Sequence, residues 1–204
     1  MTQAIRIKTA LLSVSDKTDL VAFAKRLVAH DVKIVSTGGT ARALIEAGLE
    51  VTPISELTGF PEMMDGRVKT LHPKVHGGLL ALRDNEEHVA ALEKHQITPI
   101  DLVCVNLYPF ESTVADEGVT DAEAIEQIDI GGPCMIRSSA KNHKFVTCVT
   151  NPKQYDQVCN DMDSHGGGTT YELRKELAAA AFAKTAKYDT AITTWMQQRW
   201  QVTV

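Results

Sequence analysis

The stretch Ala10-Leu-Leu-Ser-Val-Ser-Asp-Lys-Thr-Asp-Leu-Val-Ala-Phe-Ala-Lys-Arg-Leu27 carries the pattern that decides the fold. Ala10 to Val14 is an apolar run of strand length, and it ends in the polar turn Ser15-Asp-Lys-Thr18. Leu20, Phe23, Ala24 and Leu27 then recur at helical spacing, which predicts a helix. Val32-Lys-Ile-Val-Ser36 is a second strand. A glycine turn follows, then a second helix around residues 41–47, with Gly48 as its terminator.

The same alternation extends through the chain. A short strand, Glu50-Val-Thr-Pro-Ile54, precedes a segment from Thr58 to Gly78 that has no clear periodicity and holds six Gly and Pro residues, Gly59, Pro61, Gly66, Pro73, Gly77 and Gly78. Irregular backbone of that length, without the composition of disorder, points to a functional loop. Beyond it the pattern predicts a helix over Glu86–His95 and a buried strand over Leu102–Leu107. A helix over Asp121–Ile128, capped by Thr120, and a strand over Phe145–Val149 come next. A helix over Tyr155–Met162 leads to the Gly166–Gly168 turn and a long alanine-rich helix from Tyr171 to Trp200. Strands separated by helices imply an α/β fold with a mainly parallel sheet covered on both faces. The expected organisation is one domain over 1–204, with a helical C-terminal tail from about residue 170.

Composition excludes several classes. Hydrophobic residues make up 44% and charged residues 23% of 204, a globular balance, and the net charge of −5 argues against a general nucleic-acid binder. No run of about 18 apolar residues exists to span a membrane, and the start of the chain has no signal-peptide pattern. Cys104, Cys134, Cys148 and Cys159 form no CxxC pair, so buried free thiols and a cytoplasmic setting are expected.

In open parallel sheets, ligands bind beyond the carboxyl ends of the strands, so the strand-to-helix turns are where chemistry is sought. Ser13-Val-Ser-Asp-Lys-Thr18 offers hydroxyls and a lysine for an anion, or simply an N-cap at Ser15 or Asp16. Ser36-Thr-Gly-Gly-Thr-Ala-Arg42 joins glycines, hydroxyls and a helix start, which suits a monophosphate; it matches neither G-x-G-x-x-G nor a P-loop. Arg67, Lys69, Thr70, His72 and Lys74 concentrate positive charge in the irregular segment. His72 and His76 have the spacing of zinc ligands on a helix, but Pro73 and Gly77-Gly78 argue against a helix there and no third ligand is evident, so no metal is expected. Tyr108 lies just past a buried strand, where it faces a cleft or packs at the strand end. Asp129 precedes Gly131-Gly132-Pro133, read as a sharp turn, from which Lys141 returns toward the carboxylate as a proton-transfer partner. No nucleophile elbow is present, which leaves positioning, oxyanion stabilisation and acid–base transfer.

Seven ordered motifs carry a resemblance. They are Leu12-Ser-Val-Ser-Asp-Lys-Thr18, Ser36-Thr-Gly-Gly-Thr-Ala41, Thr58-Gly-Phe-Pro-Glu-Met63, Gly66-Arg-Val-Lys-Thr-Leu-His-Pro73, Asn106-Leu-Tyr-Pro-Phe110, Ile128-Asp-Ile-Gly-Gly132 and Ala140-Lys-Asn-His143. In these the chain resembles the IMP cyclohydrolase half of the bifunctional purine-synthesis enzymes that also carry AICAR formyltransferase. The resemblance implies the methylglyoxal-synthase-like fold and closure of FAICAR to IMP with loss of water. It implies no metal, nucleotide cofactor or folate for that step, and a homodimer as the assembly.

By the same resemblance, Ser15 and Lys17, with Thr37, Gly38, Gly39 and Thr40, would seat the 5′-phosphate and ribose. Arg67 and Thr70 would line that pocket, with Asn106 and Gly132 among the substrate-binding positions. Lys69 and Tyr108 would stabilise charge or move a proton at the formyl oxygen, and Asp129 and Lys141 would orient the carboxamide. The N–H groups of Ile130 and Gly131 would form an oxyanion hole. The bifunctional enzymes are more than twice as long and their folate-using half has no counterpart here, so formyl transfer is not expected. A phosphate-sensing module or methylglyoxal synthase would share the fold but not Arg67–Pro73 and Asn106–Phe110.

Overall fold

A computed structural model describes residues 4–108, 110–115 and 118–203. Pro109, quoted above within a motif, lies outside them. The strands are β1 (Ile5–Arg6), β2 (Thr9–Val14), β3 (Lys33–Ser36), β4 (Thr52–Pro53), β5 (Leu102–Asn106), β6 (Thr147–Val149) and β7 (Gly168–Thr169). The helices are α1 (Leu20–Val28), α2 (Gly38–Glu46), α3 (Ile54–Thr58), α4 (Pro73–Leu80), α5 (Glu86–Lys94), α6 (Phe110–Val114), α7 (Asp121–Glu126), α8 (Gly131–Lys141), α9 (Tyr155–Ser164) and α10 (Tyr171–Trp200).

Five strands form a wholly parallel sheet in the order β4-β3-β2-β5-β6. Both faces are covered, so alternate residues of each strand enter two different apolar layers. Ala10, Leu12, Leu102 and Cys104 pack under α1 and α9 with Leu20, Phe23, Leu27, Val158 and Met162. Leu11, Val103 and Val105 point the other way, toward Val75, Leu79, Met135, Ile136, Ala178 and Ala181 of α4, α8 and α10. Truncating one such leucine, fully buried Leu102 for instance, costs about 2–5 kcal/mol. No helix among the described residues is long and apolar enough to cross a membrane.

A small antiparallel pair, β1 with β7, was not foreseen, because two-residue strands carry no periodicity. The C-terminal helix is more than an appendage. Its residues from Tyr171 to Tyr188 bury Leu173, Leu177, Ala178, Ala181 and Tyr188. Buried Arg174 donates to the His143 and Lys144 carbonyls at 2.9 and 3.1 Å, and also to Thr169, which ties three chain segments together.

The segment from Thr58 to Gly78 is more ordered than its composition suggests. Its second part is α4, with Pro73 at the first turn, where a missing N–H breaks no helical bond. The His72 ring nitrogen caps that helix by accepting from the Lys74 N–H at 3.1 Å. Gly78 sits inside the helix because a β-carbon there would lie 2.5 Å from the Thr98 carbonyl oxygen. The expectation that Pro73 and the glycines preclude a helix is therefore corrected. His72 caps this helix and His76 lies within it, but His76 bonds Ser138 at 3.0 Å, and no group of three His, Cys, Asp or Glu able to hold a metal occurs among the described residues.

Candidate active site

Strand order switches sides at β2: β3 and β4 lie to one side, β5 and β6 to the other. A crevice is expected beyond the carboxyl ends of β2 and β5. The Asn106 side chain closes it at the base. Its carboxamide oxygen accepts from the Ser15 N–H at 2.7 Å, the Ser15 hydroxyl at 2.8 Å and the Asp16 N–H at 3.0 Å. Its NH2 donates to the Asp16 carbonyl at 2.9 Å. Ser15 is thus held across the switch point rather than capping α1, which begins only at Leu20. Asp16 instead accepts from the Thr18 N–H and hydroxyl, which lowers its pKa.

Beside this turn, Thr37 to Thr40 open α2. Gly38 has φ +42°, a conformation that disfavours a side chain, and it lets the backbone turn sharply out of β3. Thr40 hydroxyl accepts from the Val14 N–H and donates to the Val14 carbonyl, both at 2.9 Å. Thr37 hydroxyl pairs with Ser13 at 2.7 Å instead of capping the helix. No side-chain hydrogen bond caps the start of α2, and the Lys17 ammonium stands 3.9 Å from where a Gly39 β-carbon would be.

The second half of the site gathers at the start of α8. Asp129 accepts from the Gly132 N–H at 2.8 Å. A β-carbon on Gly132 would lie 2.9 Å from both the Asp129 carboxyl carbon and Leu107 Cδ2, and one on Gly131 would lie 2.5 Å from the Thr70 hydroxyl. The two glycines let Asp129 and Thr70 crowd against the helix start. Burial raises the Asp129 pKa, against the opposing pull of the Gly132 N–H and the Lys69 ammonium. Lys69 is also 3.6 Å from Glu62. Tyr108 is 52% exposed at the end of β5, and Ile130 is 57% exposed as α8 begins. Leu107 joins the halves: its carbonyl accepts from Ser15 at 3.0 Å while its side chain abuts Gly132.

One expectation fails on geometry. Lys141 does not return to Asp129, because Pro133 falls at the third position of α8 and the chain runs on as helix. Ten residues at about 1.5 Å each put Lys141 about 15 Å along the axis from Gly131. Arg67, largely exposed, lies 3.7 Å from Glu126. Glu62 beside Lys69 was quoted within a motif but given no role; only a fold that brings the hairpin Met63–Val68 back on itself reveals it. Tyr188, which touches the Asp129 turn, carried no sequence signal.

The parallel sheet, its switch-point crevice and the two glycine-opened helix starts define a methylglyoxal-synthase type of α/β domain. A family model described as "MGS-like domain" matches residues 19–134, and the chain belongs to that family. A second, described as "AICARFT/IMPCHase bienzyme", matches residues 139–203. The chain is 62% identical over 196 residues to the Bifunctional purine biosynthesis protein PurH of Roseobacter denitrificans and 59% over 197 to that of Bradyrhizobium diazoefficiens. These alignments cover 96% and 97% of this chain, which spans about 37% of the length of those curated relatives. A solved structure titled "Crystal structure of ForH" superposes with a TM-score of 0.83 at 36% identity, covering 91% of this chain and 95% of that one.

Proposed function

We propose that this chain is an IMP cyclohydrolase that closes the second purine ring, converting FAICAR to IMP with release of one water. The observation that carries this reading is the joining, through Leu107, of an anion seat to a half-buried Asp129 beside Lys69. A phosphorylated substrate needs the first; an intramolecular condensation needs the second.

Ser15, Lys17 and the Thr37–Thr40 turn bind the phosphate end, and Asn106 sets the shape of that seat. With the phosphate fixed, the carboxamide and formamido arms are held together near Asp129, which converts most of the entropic barrier into binding. The carboxamide nitrogen attacks the formyl carbon, forming the C–N bond as the C=O electron pair moves onto oxygen. Asp129 takes the proton released by that nitrogen, a task suited to a carboxylate whose pKa burial has raised. Lys69 and the N–H groups of Ile130 and Gly131 stabilise the oxyanion and Lys69 returns a proton to it. The hydroxyl then leaves as water while the former formamide N–H gives up its proton, closing the C=N bond. Tyr108, exposed beside this point, assists at the formyl oxygen. Lys141, at the other end of α8, is given no step.

Incubating the purified chain with FAICAR in folate-free buffer, with the product identified by chromatography, tests the reading. IMP formation supports it; binding of IMP without turnover sinks it.

A further inference from the structure

The C-terminal helix reaches the Asp129 turn through the Tyr188 hydroxyl. Tyr188 of α10 accepts the Asp129 backbone N–H on its hydroxyl at 2.8 Å and donates to the Gln127 carbonyl at 3.3 Å. Gln127 caps the end of α7 and Ile130 the start of α8, so the residues between them lie outside either helix. Tyr188 satisfies a donor and an acceptor there at once. Both bonds are partly shielded from water, where an unpaired backbone group is costly, so this pairing holds the turn in one shape.

The same helix also supports the other chemical turn. The buried Tyr188 ring packs edge-on against Phe110 with centroids 6.3 Å apart, and Trp195, two turns further along α10, does so at 5.8 Å. Phe110 begins α6, two residues beyond Tyr108. One helix face thus bears on the turns that present Asp129 and Tyr108. The phosphate seat lies on β2, β3 and β5 and receives nothing from Tyr188.

We propose that Tyr188 is a positioning residue: its hydroxyl fixes the Asp129 turn so that the carboxylate stays on the Gly132 N–H at the start of α8. The proposal rests on the ring-closing reading of this site. It divides kinetics in a way that a general loss of packing does not. The Tyr188→Phe chain keeps the ring and its contact with Phe110 but frees the turn. Its kcat for FAICAR closure falls tenfold or more, about 1.4 kcal/mol, while KM stays within about twofold because the phosphate seat is untouched. The Asp129 amide, protected from hydrogen exchange in the unaltered chain, exchanges at least tenfold faster in the variant.

An unchanged kcat in Tyr188→Phe overturns the proposal, and so does a parallel shift of kcat, KM and thermal midpoint. Fast exchange of the Asp129 amide in the unaltered chain overturns it as well, and that measurement stands even where the variant does not fold. Absence of turnover by the unaltered chain is a different result: it removes the ring-closing reading and the positioning role together.

Discussion

Ser15 gives both its backbone N–H and its hydroxyl to the Asn106 side chain, at 2.7 and 2.8 Å, and so bridges β2 and β5, between which the strand order of the parallel sheet switches sides. One carboxamide therefore sets the shape of the Ser15–Asp16 turn, the proposed phosphate seat. Asn106→Ala strips three donors of their acceptor and the Asp16 carbonyl of its donor. The expected result is a loss of about 1–3 kcal/mol in stability and a KM raised by tenfold or more, with a smaller effect on kcat. Denaturant unfolding and steady-state kinetics check the two parts.

Asp129 gives a pH signature with a definite sign. Burial raises its pKa in the folded chain above its unfolded value. Stability linked to this group is full below the unfolded pKa and is lost as pH rises through the folded pKa, since the folded state must then hold a buried carboxylate. Asp129→Asn keeps the side-chain oxygen that accepts from Gly132 and avoids that charge. Its thermal midpoint should exceed that of the unaltered chain at neutral and alkaline pH, with the advantage shrinking toward the ordinary carboxylate range. Thermal scans across pH read this directly.

The fold was largely legible because the sheet is buried on both faces. Leu20, Phe23, Ala24 and Leu27, picked out by spacing alone, are the residues that α1 buries. The methylglyoxal-synthase-like class foreseen from the motifs is the class the chain belongs to. What the sequence hid were elements whose composition opposes their conformation. α4 holds Pro73, Gly77 and Gly78, and α8 begins Gly-Gly-Pro; in each case proline sits in the first turn and glycine answers a close contact rather than a break. Missing α8 is what placed Lys141 beside Asp129. Lys69 is the lysine found there, because a charge pattern names candidates but only tertiary geometry chooses among them.

Gly132→Ala should show how tight that geometry is. The added carbon would clash with the Asp129 carboxylate and lie 2.9 Å from Leu107 Cδ2, so both must give way. Overpacking of this kind costs about 1–3 kcal/mol, and displacing Asp129 should lower kcat by tenfold or more. Unfolding curves and turnover on the same preparation measure both.

Lys69→Ala removes the cation between Glu62 and Asp129. Loss of a proton donor and oxyanion partner predicts a fall in kcat of about 10²-fold or more. Lys69→Arg keeps the charge but not the transferable proton, and recovers only part of it. A tenfold or smaller loss in Lys69→Ala would remove Lys69 from the chemistry.

The most direct test of the central claim is single-turnover conversion of FAICAR to IMP, without folate, by the unaltered chain and by Asp129→Asn side by side, with IMP affinity measured for both. The account predicts turnover by the unaltered chain, a loss of about 10²-fold or more in the variant, and IMP affinities within about threefold of each other. IMP binding without turnover by the unaltered chain, or full activity in Asp129→Asn, would contradict it.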